Sequence, residues 1–332
     1  MGRRGFIMAE LTYRQAVARG IAQEMERDST VYFLGEDVAE AGGVFKTTEG
    51  LLDRFGPERV RDTPISEEAI AGAAMGAAMN GLRPIAEIMF SDFFATCWDI
   101  IANQIAKTRY MTDGQVSLPL VIRAANGGGA RFGAQHSQTV ENWAMAVPGL
   151  KVVAPSTPRD VVGLMAASVR DDDPVIFLEQ KSLYATKQDV PDGEIVEELG
   201  RATVVRSGSD MTVVALAAMV PRALAAAEML AAQGVEAEVI DLRTLVPLDV
   251  TTVLESVSKT SRLATVEENP RLCGWGAEVT SIVTEEAFYD LDGPTLRITT
   301  PHIPLPSADS LEDLAMPSAD RIAGALIRVA NG

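Results

Sequence analysis

A chain of 332 residues, 47% of them hydrophobic, is long enough for two domains of ordinary size, each with its own core. Its two cysteines, Cys97 and Cys273, argue against a disulfide framework or a zinc site and fit a reducing cytoplasm. A formal charge of −17 argues against nucleic acid or an anionic membrane as partner, and no apolar run is long enough to mark a transmembrane helix.

The start, MGRRGFIMAE, has two arginines but no signal-peptide apolar stretch, and reads as a ragged extension before Ala9. Thr12 and Gln15 form a capping-box pattern that opens a helix to about Glu26. Val31–Leu34 reads as a strand ending in the acidic turn Gly35-Glu36-Asp37, and Thr48–Phe55 as a short helix. Asp62–Phe93 is the organising stretch. Ser66 is a good N-cap, Glu67 and Glu68 fall in the first turn, and Ala69–Ala78 is almost entirely small residues. The strand Pro84–Ile88 carries Glu87 in an otherwise apolar run. A helix near Ala95–Lys107, a strand Pro119–Ala124 and the glycine-rich loop through Gln135-His136-Ser137-Gln138 follow, then strands Leu150–Ala154 and Val175–Leu178 around a helix near Arg159–Val169.

Strands alternating with helices argue for a parallel α/β sheet, with ligands beyond the strands' carboxyl ends. The polar stretch 186–199 reads as a linker, giving an N-terminal domain over 1–190 and a C-terminal one over 200–332. In the second domain the β/α alternation restarts at Ala202–Arg206 and continues through strands Met211–Ala217, Glu236–Asp241 and Leu263–Glu267. His302 lies in a proline-rich passage, TPHIPLPSADSLEDL, that reads as an irregular surface arm.

There is no Walker loop, nucleophile elbow or dinucleotide fingerprint, and two histidines nearly exclude a histidine metal site. What remains is a carboxylate cluster (Glu36, Glu67, Glu87), one loop histidine (His136) and the aromatics Phe90, Phe93 and Phe94. Local sequence leaves each open. Glu67 serves equally as a plain first-turn helix acid and His136 as an ordinary loop histidine, while an aromatic such as Phe93 is more often core than ligand platform.

DTPISE, GLRPIAEIMFSDF, AKTRYM, AQHSQ, PGLKVVAPSTP, RDDDPVIFLE and EVIDLRTLVPLD occur in order. With them the chain, from about Leu11 to Val329, resembles the beta subunit of the thiamine-diphosphate-dependent, decarboxylating component of 2-oxo acid dehydrogenase complexes. The resemblance implies a pyrimidine-binding domain followed by a transketolase C-terminal-like domain, assembled with an alpha subunit as an α2β2 heterotetramer. The alpha subunit would carry the Gly-Asp-Gly motif that holds magnesium and the diphosphate; this chain has none. Glu67 matches the acid that hydrogen-bonds a pyrimidine ring nitrogen, Phe93 the aromatic that stacks on that ring, and Ile65 an apolar contact beside it. Glu36 borders the cofactor, and His136 matches the histidine that orients substrate and intermediate during acyl transfer. Ser168, Asp171 and Asp173 match a potassium-holding segment. The small-residue helix would pack on its counterpart across the tetramer.

The resemblance also implies transfer of the acyl group to a lipoyl acyltransferase, from a small 2-oxo acid or from acetoin. The tail and the VPGLKVVAPSTPRD stretch look more like pyruvate- or acetoin-type subunits than branched-chain ones. A two-subunit carboligase forming acyloins is the alternative within the family. Outside it stand a free-standing transketolase-like enzyme, opposed by the missing diphosphate motif, and a non-catalytic scaffold, opposed by the joint presence of Glu67, Phe93 and His136.

Overall fold

The computed structural model describes residues 8–330; most of the start read as a ragged extension lies outside them. Cα proximity divides the chain into two units. The first takes residues up to 125, 144–179 and 183–199; the second takes 126–143, 180–182 and everything from 200 on. Both units are α/β.

In the first unit the strands are β1 (Met8–Thr12), β2 (Val31–Gly35), β3 (Val60–Asp62), β4 (Arg83–Phe90), β5 (Val121–Asn126), β6 (Lys151–Val153), β7 (Val175–Gln180) and β8 (Lys187–Pro191). The central strands lie in the order β6-β7-β5-β4-β2-β3. The pairings β2–β3, β2–β4, β4–β5 and β6–β7 are parallel. Every residue of β5 and β7 is buried, as strands covered on both faces require.

The expected capping box is present: Thr12 caps the helix Tyr13–Arg27 and accepts the Gln15 amide, while Gln15 returns a bond to the Thr12 amide. That helix packs on Pro158–Arg170, where a Cβ on Gly20 would lie 3.1 Å from the Met165 Cβ. The wholly buried Glu24 pairs with Arg170 across this contact at 2.8 Å.

Three features differ from the sequence reading. Residues 187–191, inside the stretch read as a linker, form β8, which pairs antiparallel with β1 and buries Val190 completely. Its partner is far away in sequence, so local polarity hides the pairing. The helix expected near 95–107 is broken: Phe94–Asp99 contains a non-helical Cys97, Ile100–Ile105 is a π-helical turn, and Ala106–Met111 resumes the α-helix. Ser66 holds the N-cap position of the helix Glu67–Met79, but its side chain makes no capping bond.

In the second unit the strands are β9 (Thr203–Arg206), β10 (Met211–Ala215), β11 (Ala237–Asp241), β12 (Thr244–Val246), β13 (Leu263–Pro270) and β14 (Leu296–Thr300). One sheet has the order β14-β13-β10-β11-β9, parallel except for β9. The passage read as an irregular arm contains the helix Asp309–Ala315, anchored by a fully buried Glu312. The helix Ala319–Ala330 follows. Among the described residues no helix is long and apolar enough to cross a membrane.

Candidate active site

The carboxyl edge of the first sheet gathers the first group of candidates. β2 ends at Gly35, where a Cβ would meet the Glu87 Cβ at 2.8 Å, so only glycine lets β2 and β4 approach this closely. Glu36 follows directly and is 7% exposed. Asp62, in register with Gly35 on β3, accepts the Ala39 amide at 2.7 Å and so holds the acidic turn in place. Five residues later Glu67, half-buried, opens the small-residue helix. Burial, then the charges of Glu67 and Asp37, push the Glu36 carboxyl above its ordinary range. The structure thus brings Glu36 and Glu67 into one electrostatic neighbourhood. Phe93 lies half-buried in the 3-10 turn after β4, edge-on to Phe90 with ring centroids 5.6 Å apart. Ile65 is 84% exposed beside Glu67. The thiol of Cys97 is pushed up to about 12 by burial and by the charges of Glu67 and Glu68, so it is inert near neutrality.

Glu87, grouped by sequence with Glu36 and Glu67, instead enters a buried ion network. Its carboxylate pairs with Arg123, its register partner on β5. Arg123 also donates Nε to Glu179 Oε1 at 2.6 Å and Nη2 to Thr47 Oγ1 at 3.1 Å, and Tyr184 donates its hydroxyl to Glu179 at 3.0 Å. Burial raises Glu87 to about 7 despite the guanidinium beside it. An aromatic row runs from Phe93 through Phe90 and Phe45 to Tyr184, with neighbouring centroids 5.2–5.6 Å apart. Sequence reasoning missed Arg123, Glu179 and Tyr184. The available signal was charged residues inside the apolar runs LVIRAA and VIFLEQ.

His136 belongs to the second unit, half-buried in a loop closed at its base by the Gly127 amide donating to the Gln138 carbonyl at 2.9 Å. Its neighbours Ala134 and Ser137 line a cavity of about 480 Å³, bordered also by Gln138, Trp143, Glu268 and His302. His302, exposed in the irregular stretch before the helix Asp309–Ala315, also lines this cavity. Burial raises both Glu268 and Glu141, the latter to about 7.

The segment matched to a potassium site has protein partners. The Ser168 hydroxyl donates to the Leu164 carbonyl at 2.7 Å, Asp171 pairs with Lys151 at 2.5 Å, and Asp173 pairs with Arg109 and lies 3.5 Å from Lys151. Among the described residues no group of three His, Cys, Asp or Glu side chains is arranged to hold a metal ion.

Comparison with known proteins identifies this architecture. Residues 9–187 match the transketolase pyrimidine-binding domain, and residues 200–322 match the transketolase C-terminal domain. The chain is 46% identical to the beta subunit of the acetoin:2,6-dichlorophenolindophenol oxidoreductase of Cupriavidus necator, over 97% of this chain and 98% of that one. It is 47% identical to the pyruvate dehydrogenase E1 beta subunit of Rickettsia felis (96% and 98% covered). It is 44% identical to the 2-oxoisovalerate dehydrogenase beta subunit of Bacillus subtilis (97% and 99% covered). A solved split-gene transketolase, described as an inactive β4 tetramer, superposes with a TM-score of 0.80 at 25% identity, covering 98% of this chain and 99% of that one. The chain belongs to the transketolase-like family of 2-oxo acid dehydrogenase E1 beta subunits, with a pyrimidine-binding domain followed by a transketolase C-terminal domain.

Proposed function

We propose that this chain is the beta subunit of a cytoplasmic, two-subunit thiamine-diphosphate enzyme that decarboxylates a small 2-oxo acid or cleaves acetoin, and passes the acyl group to a lipoyl acyltransferase. The observation that carries this reading is the coupled pair Glu36 and Glu67 on the same sheet edge as the half-buried Phe93. A carboxyl held above its ordinary range, on the same sheet edge as a flat apolar ring, fits a protonatable heteroaromatic such as the cofactor's pyrimidine. When bound, the cofactor supplies the carbon nucleophile at which decarboxylation occurs.

The chain's own residues would prepare and guard that chemistry. Glu67 would hydrogen-bond the pyrimidine ring nitrogen, with Glu36 as a supporting carboxyl that resists a second negative charge. Phe93 would stack on the ring, and the exposed Ile65 would cover its edge once an alpha subunit closes over it. His136 would orient the substrate and move a proton at its imidazole during acyl transfer. Magnesium and the diphosphate would be held by the alpha subunit in an α2β2 assembly. There the exposed, small-residue face of the helix Glu67–Met79 would meet its counterpart. A potassium ion at Ser168, Asp171 and Asp173 would have to displace Lys151.

Calorimetric titration of thiamine diphosphate with magnesium, into this chain alone and into the chain co-expressed with its alpha subunit, tests the reading. Binding only in the co-expressed sample is expected. Tight binding to the lone chain would overturn the shared site.

A further inference from the structure

The loop that carries His136 is gripped by two buried carboxylates from distant parts of the C-terminal unit. Glu268, near the end of β13, is buried and 7% exposed. It accepts the Gly128 amide on the loop's first limb, and the Thr139 hydroxyl at 3.4 Å beyond the second. Its other oxygen takes Gln180 Nε2 at 2.6 Å. Glu312, on the tail helix Asp309–Ala315, is 0% exposed. It accepts the Gly129 amide at 2.9 Å, the Arg131 amide at 3.3 Å and Arg131 Nη1 at 2.7 Å.

The backbone is shaped for this grip. Gly127, Gly129 and Arg131 all have positive φ (78°, 82° and 65°), and for arginine that conformation is uncommon and must be held by its surroundings. A Cβ on Gly128 would lie 2.6 Å from the Leu305 side chain, so the loop rests directly on the tail. A carboxylate buried with no amide or guanidinium donors would be costly, and an amide buried without an acceptor equally so. The carboxylates and the loop therefore satisfy each other.

We propose that Glu312 and Glu268 are positioning residues for acyl transfer: they fix the loop backbone over Gly127–Arg131 and thereby set the aim of His136. The proposal rests on the reading that gives His136 its role in transfer. The two carboxylates do not touch the reacting atoms. They act through the loop, closed by the Gly127–Gln138 bond two residues beyond His136.

The test uses the assembled alpha–beta enzyme with Glu312→Gln, His136→Ala and the double variant. Acyl transfer to free lipoamide and decarboxylation with an artificial electron acceptor are measured separately, with amide hydrogen exchange over residues 127–138. For Glu312→Gln we expect transfer to fall about tenfold, decarboxylation to change less than threefold, and exchange to rise in that segment. The double variant should transfer no worse than His136→Ala alone, because coupled groups lose only once. Additive losses, or unchanged exchange, would overturn the clamp. Unimpaired transfer in His136→Ala would overturn the underlying role of His136, while the exchange result would still decide whether the carboxylate holds the loop. Should Glu312→Gln fail to assemble, Arg131→Gln, which removes the guanidinium held by Glu312, is read by the same assays and the same criteria.

Discussion

Glu87 and Arg123 face each other in register on adjacent parallel strands and meet as an ion pair sealed inside the first sheet. With Glu179 also on the guanidinium, the trio carries one excess negative charge when both acids are ionised. Burial, with the Glu179 charge added to it, pushes Glu87 up to about 7 despite the guanidinium. Arg123→Met should therefore destabilise the chain by about 3–5 kcal/mol, because two buried carboxyls lose the guanidinium they share. Glu87→Gln, which removes the excess charge and keeps the shape, should change stability by less than about 1 kcal/mol. Urea unfolding of the two variants checks the contrast, and equal losses would contradict it.

Glu67→Gln should abolish decarboxylation, by about 100-fold or more, while leaving assembly with the alpha subunit intact. A glutamine can accept or donate a hydrogen bond but cannot transfer a proton to the ring nitrogen near neutral pH. Turnover and size-exclusion chromatography on the same preparation separate the two effects. Full activity would remove Glu67 from its proposed role.

Glu141 gives a pH signature. Burial lifts its carboxyl from 4.5 to about 7, although Asn126 donates to it at 3.0 Å. A raised native pKa means the folded chain binds more protons than the unfolded chain between those values. This contribution to stability is present at low pH and is lost as pH rises through that window. Glu141→Gln should shrink the stability difference between pH 5 and pH 7 by about 2 kcal/mol. Chemical denaturation at the two pH values measures it, and an unchanged difference would contradict the assignment.

Gly149 has φ of +104°, and a Cβ there would lie 2.0 Å from the Ala106 carbonyl oxygen, just where the π-helical turn gives way to α-helix. Backbone cannot yield as a side-chain tip can. Gly149→Ala should cost about 3 kcal/mol or more, from a strained φ together with overpacking. Gly72→Ala is the contrast, because a Cβ there meets nothing within 4 Å in the chain alone. It should leave the isolated chain's melting temperature unchanged or slightly higher. Should it weaken association with the alpha subunit, the small-residue face belongs to an assembly contact.

Where structure follows local chemistry it was legible in the sequence. The Thr12–Gln15 box opens a helix where read, because a cap is settled within four residues. Glu67 and Phe93 could be singled out because they sit in short, ordered motifs near strand ends. What remained hidden depends on partners remote in sequence. β8 looks like a polar linker until β1 is beside it. Glu312 looks like one more acid on an acidic surface until the Gly129 and Arg131 amides reach it. Arg123 interrupts an apolar strand for no local reason, since its reason lies on two other strands.

The tail's grip on the glycine loop bears on modularity. The family boundary near residue 200 looks like a natural place to cut or recombine the two domains, yet residues 126–143 fold with the part that lies beyond it. A fragment ending there would carry the His136 loop away from both of its carboxylate acceptors. Chimeras between relatives should accordingly exchange the loop and the C-terminal tail as a single inherited block, even though almost the whole sequence separates the tail from the chain's beginning.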